Sequence, residues 1–178
     1  MNDKIEEKII KATINFIRTN GYQTVSLRKI SQAAGVTTGA FYKRFRNKDV
    51  LFYRTAMILS QQFVTKFAIN NELSAFNQIL QIAQQFCEEF QKQPQVMDFL
   101  FFNPTIIQVY QADKNDFSFL QMIQRLAQQV NPGILNNQQF FEQLWSFIQG
   151  YSLLIKNGVT SYDPQIVKVT LSQMVGEK

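Results

Sequence analysis

Apolar residues recur at intervals of three and four along almost the whole chain, which is the spacing of one face of an α-helix. Between residues 26 and 51 this spacing breaks into two short helical patterns with a tight joint at Gly35, where a left-handed residue costs least. Ser26 stands at the N-cap of the first pattern, and Thr37 or Thr38 at that of the second. This arrangement is typical of a helix-turn-helix, whose second helix lies in the major groove of DNA.

The same stretch predicts which side chains hold the two short helices together. Phe41 and Phe45 fall on the inner face of the second helix, and Ala33 and Ala34 are small where the helices cross. Downstream, Asn47 is placed to cap the following helix. Lys48 is then the first residue of that helix, whose N-terminus can bind a phosphate.

Longer helical patterns account for the rest of the chain, and no strand alternation of any length competes with them. Caps, glycines and prolines bound the predicted helices at about 3–20, 48–69, 76–90, 94–102, 104–110, 116–130, 137–156 and 163–175. We therefore predict an all-α fold of about nine helices, with a three-helix head at the N-terminus and a helical bundle after it.

Charge is unevenly divided along the chain. The first 50 residues hold ten basic and four acidic residues, a net charge of +6, whereas the remainder holds eight basic and nine acidic residues, a net charge of −1. A solvated basic face is common, but it does not explain why the remainder is nearly neutral. The asymmetry indicates a head that binds a polyanion, joined to a body with another role.

The composition argues against an enzyme. The chain has no histidine, no glycine-rich phosphate loop and one cysteine, Cys87, so we expect no catalytic site, no metal and no cofactor. Cys87 lies on an apolar helical face, where we expect a small buried hydrophobic residue. No apolar run approaches the roughly 18 residues of a membrane span, and the charged start is unlike a secretory signal. We therefore expect a cytoplasmic protein without a membrane partner.

Residues 21–51 resemble the N-terminal domain of the TetR family of bacterial transcriptional regulators. The resemblance is carried by Gly21, Ser26-Leu27-Arg28, Ile30, Ala34-Gly35-Val36, Gly39, Phe41-Tyr42, Phe45, Lys48 and Leu51. It implies a DNA-binding domain over residues 1–47 and a ligand-binding and dimerisation domain over residues 48–178, with residues 48–69 as the connecting helix. It also implies a homodimer on a palindromic double-stranded DNA operator, paired through a four-helix bundle of each subunit's last two helices.

The resemblance assigns DNA contacts position by position. Its base-reading candidates are Thr37, Thr38, Gly39, Ala40 and Lys43, and its phosphate contacts are Tyr42 and Lys48, with Arg28 reaching DNA from the preceding helix. Two positions depart from the family pattern. Ser31 stands where many members have a small apolar residue, and Lys29 stands where relatives often have an acid.

The body after residue 69 is rich in aromatic residues, for which two interpretations stay open. In the first interpretation, these residues fill cores and a dimer seam. In the second, some of them line a cavity for an apolar or aromatic small-molecule effector. The residues best placed for such a pocket are Phe86, Phe90, Phe101, Tyr110 and Trp145. The candidates for the dimer interface are Phe141, Ile148, Tyr151, Val167, Leu171 and Met174.

These observations together predict a ligand-responsive repressor that binds its operator as a homodimer and leaves it when the effector binds. An activator is equally compatible with the residues, because the outcome depends on the operator's position. The alternative from another class is a helical binding protein for lipophilic molecules, whose basic head makes only non-specific contact with nucleic acid. A steep preference for one palindrome over random DNA would distinguish the two.

Overall fold

The fold of residues 2–67, 72–107 and 117–176 is described by a computed structural model. Among these residues the chain forms ten α-helices and one short 3-10 turn, and no strand. The all-α prediction is confirmed, and its count of about nine helices agrees if the single-turn helix Pro104–Ile107 is set aside. The bounds are α1 Asn2–Asn20, the 3-10 turn Tyr22–Thr24, α2 Leu27–Ala33, α3 Thr38–Tyr42, α4 Lys48–Lys66, α5 Ala75–Lys92, α6 Pro94–Phe101, α7 Pro104–Ile107, α8 Ser118–Val130, α9 Asn137–Lys156 and α10 Pro164–Val175.

Side-chain caps fix most of these helix starts where the sequence placed them. The Asn47 side chain accepts a hydrogen bond from the backbone N–H of Val50 at 2.9 Å and so caps α4. Asn136 and Gln139 form a reciprocal capping box at the start of α9. Asp163 caps α10, whose first position is a proline. Each cap satisfies backbone N–H groups that a helix start otherwise leaves without a partner.

Two helix boundaries differ from prediction. The connecting helix α4 ends at Lys66 rather than near residue 69, because Phe67 already leaves the helical conformation. The helix predicted over 104–110 is observed as Pro104–Ile107, and its remaining residues lie outside the described ranges. Ala33 was predicted to face inward, but it is exposed, and Ala34 is half-buried.

The chain divides into two compact units, the first formed by residues 1–62 and 93–117. In this unit α1 packs against α2 and α6. Three aromatic rings join separate elements of the unit, since the Phe99 ring of α6 lies 5.1 Å from Phe52 of α4 and 6.0 Å from Tyr22, measured between centroids. The helix α6 thus shares a core with α1, the 3-10 turn and the start of α4, although it comes much later in the sequence.

A glycine is required where α1 ends in this unit. Gly21 has a φ of +76°, a region that residues with a Cβ rarely adopt. A Cβ built at Gly21 would lie 2.8 Å from the Gln95 side-chain oxygen of α6. The backbone conformation therefore strains any larger residue here, and the Gln95 side chain would also have to shift.

The second unit is formed by residues 63–92 and 118–178. There α5, α8 and α9 pack against one another, and α10 packs against α5. Phe119 lies at the centre of an aromatic cluster, with its ring 5.2 Å from Phe67, 5.9 Å from Phe63, 6.1 Å from Phe86 and 6.2 Å from Trp145. Rings from four helical segments therefore form the core of this unit.

The packing units do not follow the domain boundary drawn after residue 47. That boundary separates proposed functions, whereas the packing places the start of α4, together with α6 and α7, in the same unit as the head. The functional division at residues 1–47 and 48–178 stays a prediction.

Candidate nucleic-acid interface

Local hydrogen bonds fix the joint between α2 and α3. The Ser26 hydroxyl oxygen accepts a hydrogen bond from the backbone N–H of Lys29 at 3.2 Å, and the Thr37 hydroxyl oxygen accepts one from Ala40 at 3.1 Å. Between the two helices Gly35 has a φ of +64°, and the N–H of Val36 donates to the carbonyl of Ser31 at 3.0 Å. The predicted N-caps and left-handed joint are therefore present, with Thr37 as the cap of α3.

The departure at Ser31 is accommodated inside α2. Ser31 is buried, and its hydroxyl donates a hydrogen bond to the carbonyl oxygen of Leu27 at 2.8 Å. This bond satisfies the hydroxyl where a small apolar residue would need no partner, so burial of the polar group carries little cost.

Two buried phenylalanines orient the second helix. Phe41 and Phe45 are 0% and 1% exposed, and their ring centroids lie 5.7 Å apart. Because these anchors fix one side of α3, the other side presents Thr38, Gly39, Tyr42 and Lys43 as exposed residues, with Tyr42 53% exposed. Ala40 is half-buried, and Thr37 is exposed at the start of the helix.

A hollow of about 390 Å³ lies beside this helix, next to the start of α1. It is lined by Ile5, Thr37, Gly39, Ala40, Lys43 and Arg44. Four of the residues assigned to base reading thus border one surface depression.

The residues predicted to contact phosphates differ in their exposure to solvent and in their neighbours. Arg28 is exposed on α2. Lys48 is half-buried at the first position of α4, and its ammonium lies over the Phe52 ring at 5.0 Å from the centroid. This cation–π contact holds the Lys48 side chain near the capped N-terminus of α4. A phosphate bound there would contact both the ammonium and the backbone N–H groups of the helix N-terminus. Lys29 similarly lies over Phe16 at 5.9 Å.

The structure brings together three of the five aromatic residues predicted for a ligand pocket. Phe86 lies 5.2 Å from both Phe90 and Trp145, measured between ring centroids. Phe101 is buried and belongs to the first packing unit. Tyr110 lies outside the described residues.

Most residues predicted for the dimer interface are buried within the subunit. Phe141, Ile148, Tyr151, Val167 and Leu171 are each at most 8% exposed, and Met174 is half-buried. The Tyr151 hydroxyl has a local role, because it accepts a hydrogen bond from the backbone N–H of Asp163 at 2.7 Å and donates one to the carbonyl of Ser161 at 3.0 Å. The exposed apolar side chains of α9, α10 and the loop between them are Leu153, Leu154, Val159, Ile166 and Val169.

One polar pair in the second unit was missed by sequence reasoning. Glu89 is 3% exposed, and its carboxylate accepts a hydrogen bond from the Lys66 ammonium at 2.6 Å. The burial of Glu89 could have been predicted, because Glu89 lies between Phe86 and Phe90 on the apolar side of α5. The lysine could not be found in the same way, since it comes from another helix 23 residues earlier.

Neither a cluster of metal-ligating side chains nor a membrane-spanning helix is found in the residues that the structure describes. No three His, Cys, Asp or Glu side chains come together as metal ligands there. No helix within these ranges is long and apolar enough to cross a membrane.

Comparisons with known proteins agree with this geometry. Residues 9–55 match the sequence profile of the bacterial regulatory proteins of the tetR family. The chain is 39% identical over 74 residues to the Transposon Tn10 TetC protein of Escherichia coli, covering 39% of this chain and 37% of that protein. It is 35% identical over 51 residues to the uncharacterized HTH-type transcriptional regulator YerO of Bacillus subtilis, covering 29% of this chain and 17% of that protein. These matches therefore span less than two fifths of the relatives' length.

A solved structure shares the fold over nearly the whole chain. The multidrug binding protein EbrR, complexed with ethidium, superposes with a TM-score of 0.73 at 17% identity, covering 96% of this chain and 97% of that one. The capped helix-turn-helix, the exposed α3 and the all-helical body define a protein with a helix-turn-helix DNA-binding domain. Residues 9–55, which hold this domain, match the tetR family of bacterial regulatory proteins, and the likeness of the rest of the chain is one of fold.

Proposed function

We propose that this protein is a transcriptional regulator that binds a palindromic DNA operator as a homodimer and represses until a small apolar or aromatic effector releases it. The observation that carries the proposal is the exposed face of α3, held outward by Phe41 and Phe45 in a head of net charge +6. Positive charge supplies affinity for the phosphate backbone, and the exposed small and polar residues of α3 supply contact with base edges. This role is regulatory rather than catalytic.

The residues of the head that we propose to contact DNA form two groups, those that contact bases and those that contact phosphates. We propose that Thr37, Thr38, Gly39, Ala40 and Lys43 read bases; all of them except Thr38 border the hollow beside α3. The list of proposed phosphate contacts is Arg28, Tyr42 and Lys48. Phosphate contacts position the protein and carry no sequence information directly, so losing one weakens binding on every sequence alike.

A dimer is proposed because one head reads only half of a palindrome. The two recognition helices would lie about one DNA turn apart, near 34–36 Å. The exposed apolar residues Leu154, Ile166 and Val169 of α9 and α10 are proposed as the self-complementary surface between subunits.

Effector control is proposed to act through the aromatic body of the second unit. The similar protein EbrR binds ethidium, which is an aromatic compound. An effector shifts the equilibrium only if it binds the DNA-competent and DNA-incompetent states unequally, so the released state must offer it the better site.

The experiment that tests the function is selection from random duplex DNA at fixed salt over several rounds. The expected result is enrichment of one palindrome with half-sites one turn apart. Binding without any enriched sequence would instead support the alternative, a helical binding protein for lipophilic molecules with non-specific nucleic-acid contact. The matched variants are Lys43→Ala and Lys48→Ala, of which only Lys43→Ala is expected to change which sequence is enriched.

A further inference from the structure

A groove runs between α1 and α4 in the first packing unit. It holds about 380 Å³ and is lined by six residues of α1, from Glu7 to Arg18, and by Ile58 and Gln62 of α4. None of the residues that we propose to contact DNA borders it. The groove is therefore a feature of the first unit that the proposed DNA contacts do not use.

An ion pair joins the two helices one turn before the floor of the groove begins. The Arg54 guanidinium of α4 lies 3.2 Å from the Glu6 carboxylate of α1. One helical turn further along each helix, Ile10 and Ile58 line the groove. The two helices therefore run side by side in the same direction, and the ion pair borders one end of the space between them.

The floor of the groove is made of aliphatic side chains. Ile10 and Ile14 are 3% and 8% exposed, and Ile58 is half-buried. No aromatic ring is among the lining residues, so the groove offers no face on which a planar ligand could stack. Contact with such a floor is non-directional and grows with the apolar area covered, which suits a flexible hydrocarbon chain.

The charges on the rim of the groove are unevenly placed. Glu7 is the one acid of the lining, and Lys11 follows it by one helical turn, so the charge of Lys11 is offset. Arg18 stands at the other end and forms no ion pair within the described part of the chain. The amide side chains of Asn15 and Gln62 also line the groove. A guanidinium with amide donors in the same lining suits an anionic group.

We propose that this groove binds a single-chain anionic amphiphile, with its aliphatic chain along Ile10, Ile14 and Ile58 and its acidic head group on Arg18. The distance along α1 from Ile10 to Arg18 is about 12 Å at the rise of an α-helix, which limits the chain to a medium length. An apolar lining with a few polar groups that fix orientation is the usual composition of a small-molecule site. The bound chain would contact α1 and α4 together.

This site goes beyond the proposed function. All of its lining residues belong to the first unit, whereas effector control is proposed for the aromatic body of the second unit. The test therefore uses the full chain without DNA.

The measurement is an NMR titration of protein with labelled isoleucine methyl groups, which reports affinity and location together. The probe is octanoate, and octanol and octylammonium carry the same chain with no charge and with the opposite charge. We expect octanoate to bind most tightly and to shift the methyl signals of Ile10, Ile14 and Ile58. Equal affinity for all three compounds, or shifts confined to isoleucines of the second unit, would overturn the proposal.

Removal of the Arg18 charge tests the head-group contact. Arg18→Gln should weaken octanoate binding about fivefold or more, because a hydrogen bond to a charged group is lost, and should leave octanol binding within twofold. Arg46→Gln is the matched control, since Arg46 is another exposed arginine of the first unit that does not line the groove. Equal losses in the two variants would show only a general attraction of anions and would contradict the site.

A polar substitution in the floor tests the chain contact. Ile58→Gln should weaken octanoate and octanol alike by about fivefold, because both lose the same apolar contact. Met57→Gln is its control, since Met57 is also half-buried but does not line the groove. The spectrum of each free variant shows whether it has folded. Unchanged binding of both compounds in Ile58→Gln would remove this groove as their site.

An anionic membrane offers the same chemistry as a free amphiphile, so phosphatidylglycerol vesicles form the last arm. Cosedimentation that depends on Arg18, without any octanoate binding, would assign the groove to a lipid surface and overturn the proposal. The two proposals also fail separately. If octanoate binding depends on Arg18 but no DNA sequence is enriched in the selection experiment, the groove site stands and the regulator proposal is wrong. If a palindrome is enriched but octanoate binding ignores Arg18 and Ile58, only the groove site is wrong.

Discussion

At the scale of single residues, Gly39 is a glycine that the fold does not require. Its backbone does not adopt a positive φ, and a Cβ built there meets no atom within 4 Å outside the helix's own backbone. We predict that Gly39→Ala leaves the chain as stable or more stable, by up to about 1 kcal/mol, because alanine is the better helix former. DNA affinity should nevertheless fall, since the added methyl group stands where we propose that the helix backbone approaches base edges. Thermal unfolding and operator titration of the same sample check both parts.

Gly21 gives the opposite prediction and serves as the control. With a φ of +76° and the Gln95 oxygen 2.8 Å from a built Cβ, Gly21→Ala should destabilise the protein by about 1 kcal/mol or more. An equal loss of stability in the two alanine variants would mean that Gly39 has a structural role after all.

Cys87 is predicted to be inert in the folded chain. It is 1% exposed, and burial raises the pKa of its thiol above the usual range, while a hydrogen bond with Ser152 acts in the other direction. Because the thiolate is the reactive form, a disulfide reagent should label the native protein on the order of a hundredfold more slowly than the unfolded protein. The raised pKa means that the thiol stays protonated through neutral pH, so labelling should remain slow there. Rapid labelling of the native protein at neutral pH would show that the region around Cys87 opens to solvent.

At the scale of elements, the sequence predicted what is encoded locally. Helix starts followed from caps such as Asn47 and Asp163, whose bonding partners lie two or three residues away. Lys66 as the partner of the buried Glu89 was not predictable in this way, because the pair joins two helices that only the packing brings together. The burial of Val167 and Leu171 in their own subunit was missed for a related reason. An apolar stripe looks the same whether it packs against its own chain or a partner.

The packing of α6 into the first unit leads to a prediction of its own. Phe99 is fully buried against Phe52 and Tyr22, so Phe99→Ala should cost about 3–5 kcal/mol of the free energy of unfolding. Phe147→Ala is the comparison, since the half-buried Phe147 stacks on Tyr151 and should cost clearly less. Urea unfolding of both variants measures the difference. A small effect at Phe99 would show that α6 is not part of the core that supports the head.

At the scale of the whole molecule, one head alone cannot account for selective binding to a palindromic operator. Its net charge of +6 gives affinity for any duplex, and one recognition helix reads one half-site. Selectivity for a palindrome requires two heads held at a fixed spacing, so the surface that joins two subunits is as necessary as α3. Ile166 and Val169 are 44% and 43% exposed on α10, on the side opposite the buried Val167 and Leu171.

We predict that Ile166→Glu and Val169→Glu each convert the proposed dimer to a monomer, because a carboxylate at the centre of the proposed apolar interface would lose its hydration without gaining a partner. Lys168→Glu places the same group on another exposed side of α10 and should leave the dimer intact. Sedimentation velocity at micromolar concentration separates the two outcomes. The monomeric variants should lose affinity for the palindrome while keeping that for a single half-site. Retention of the dimer in both Ile166→Glu and Val169→Glu would move the interface away from this face of α10.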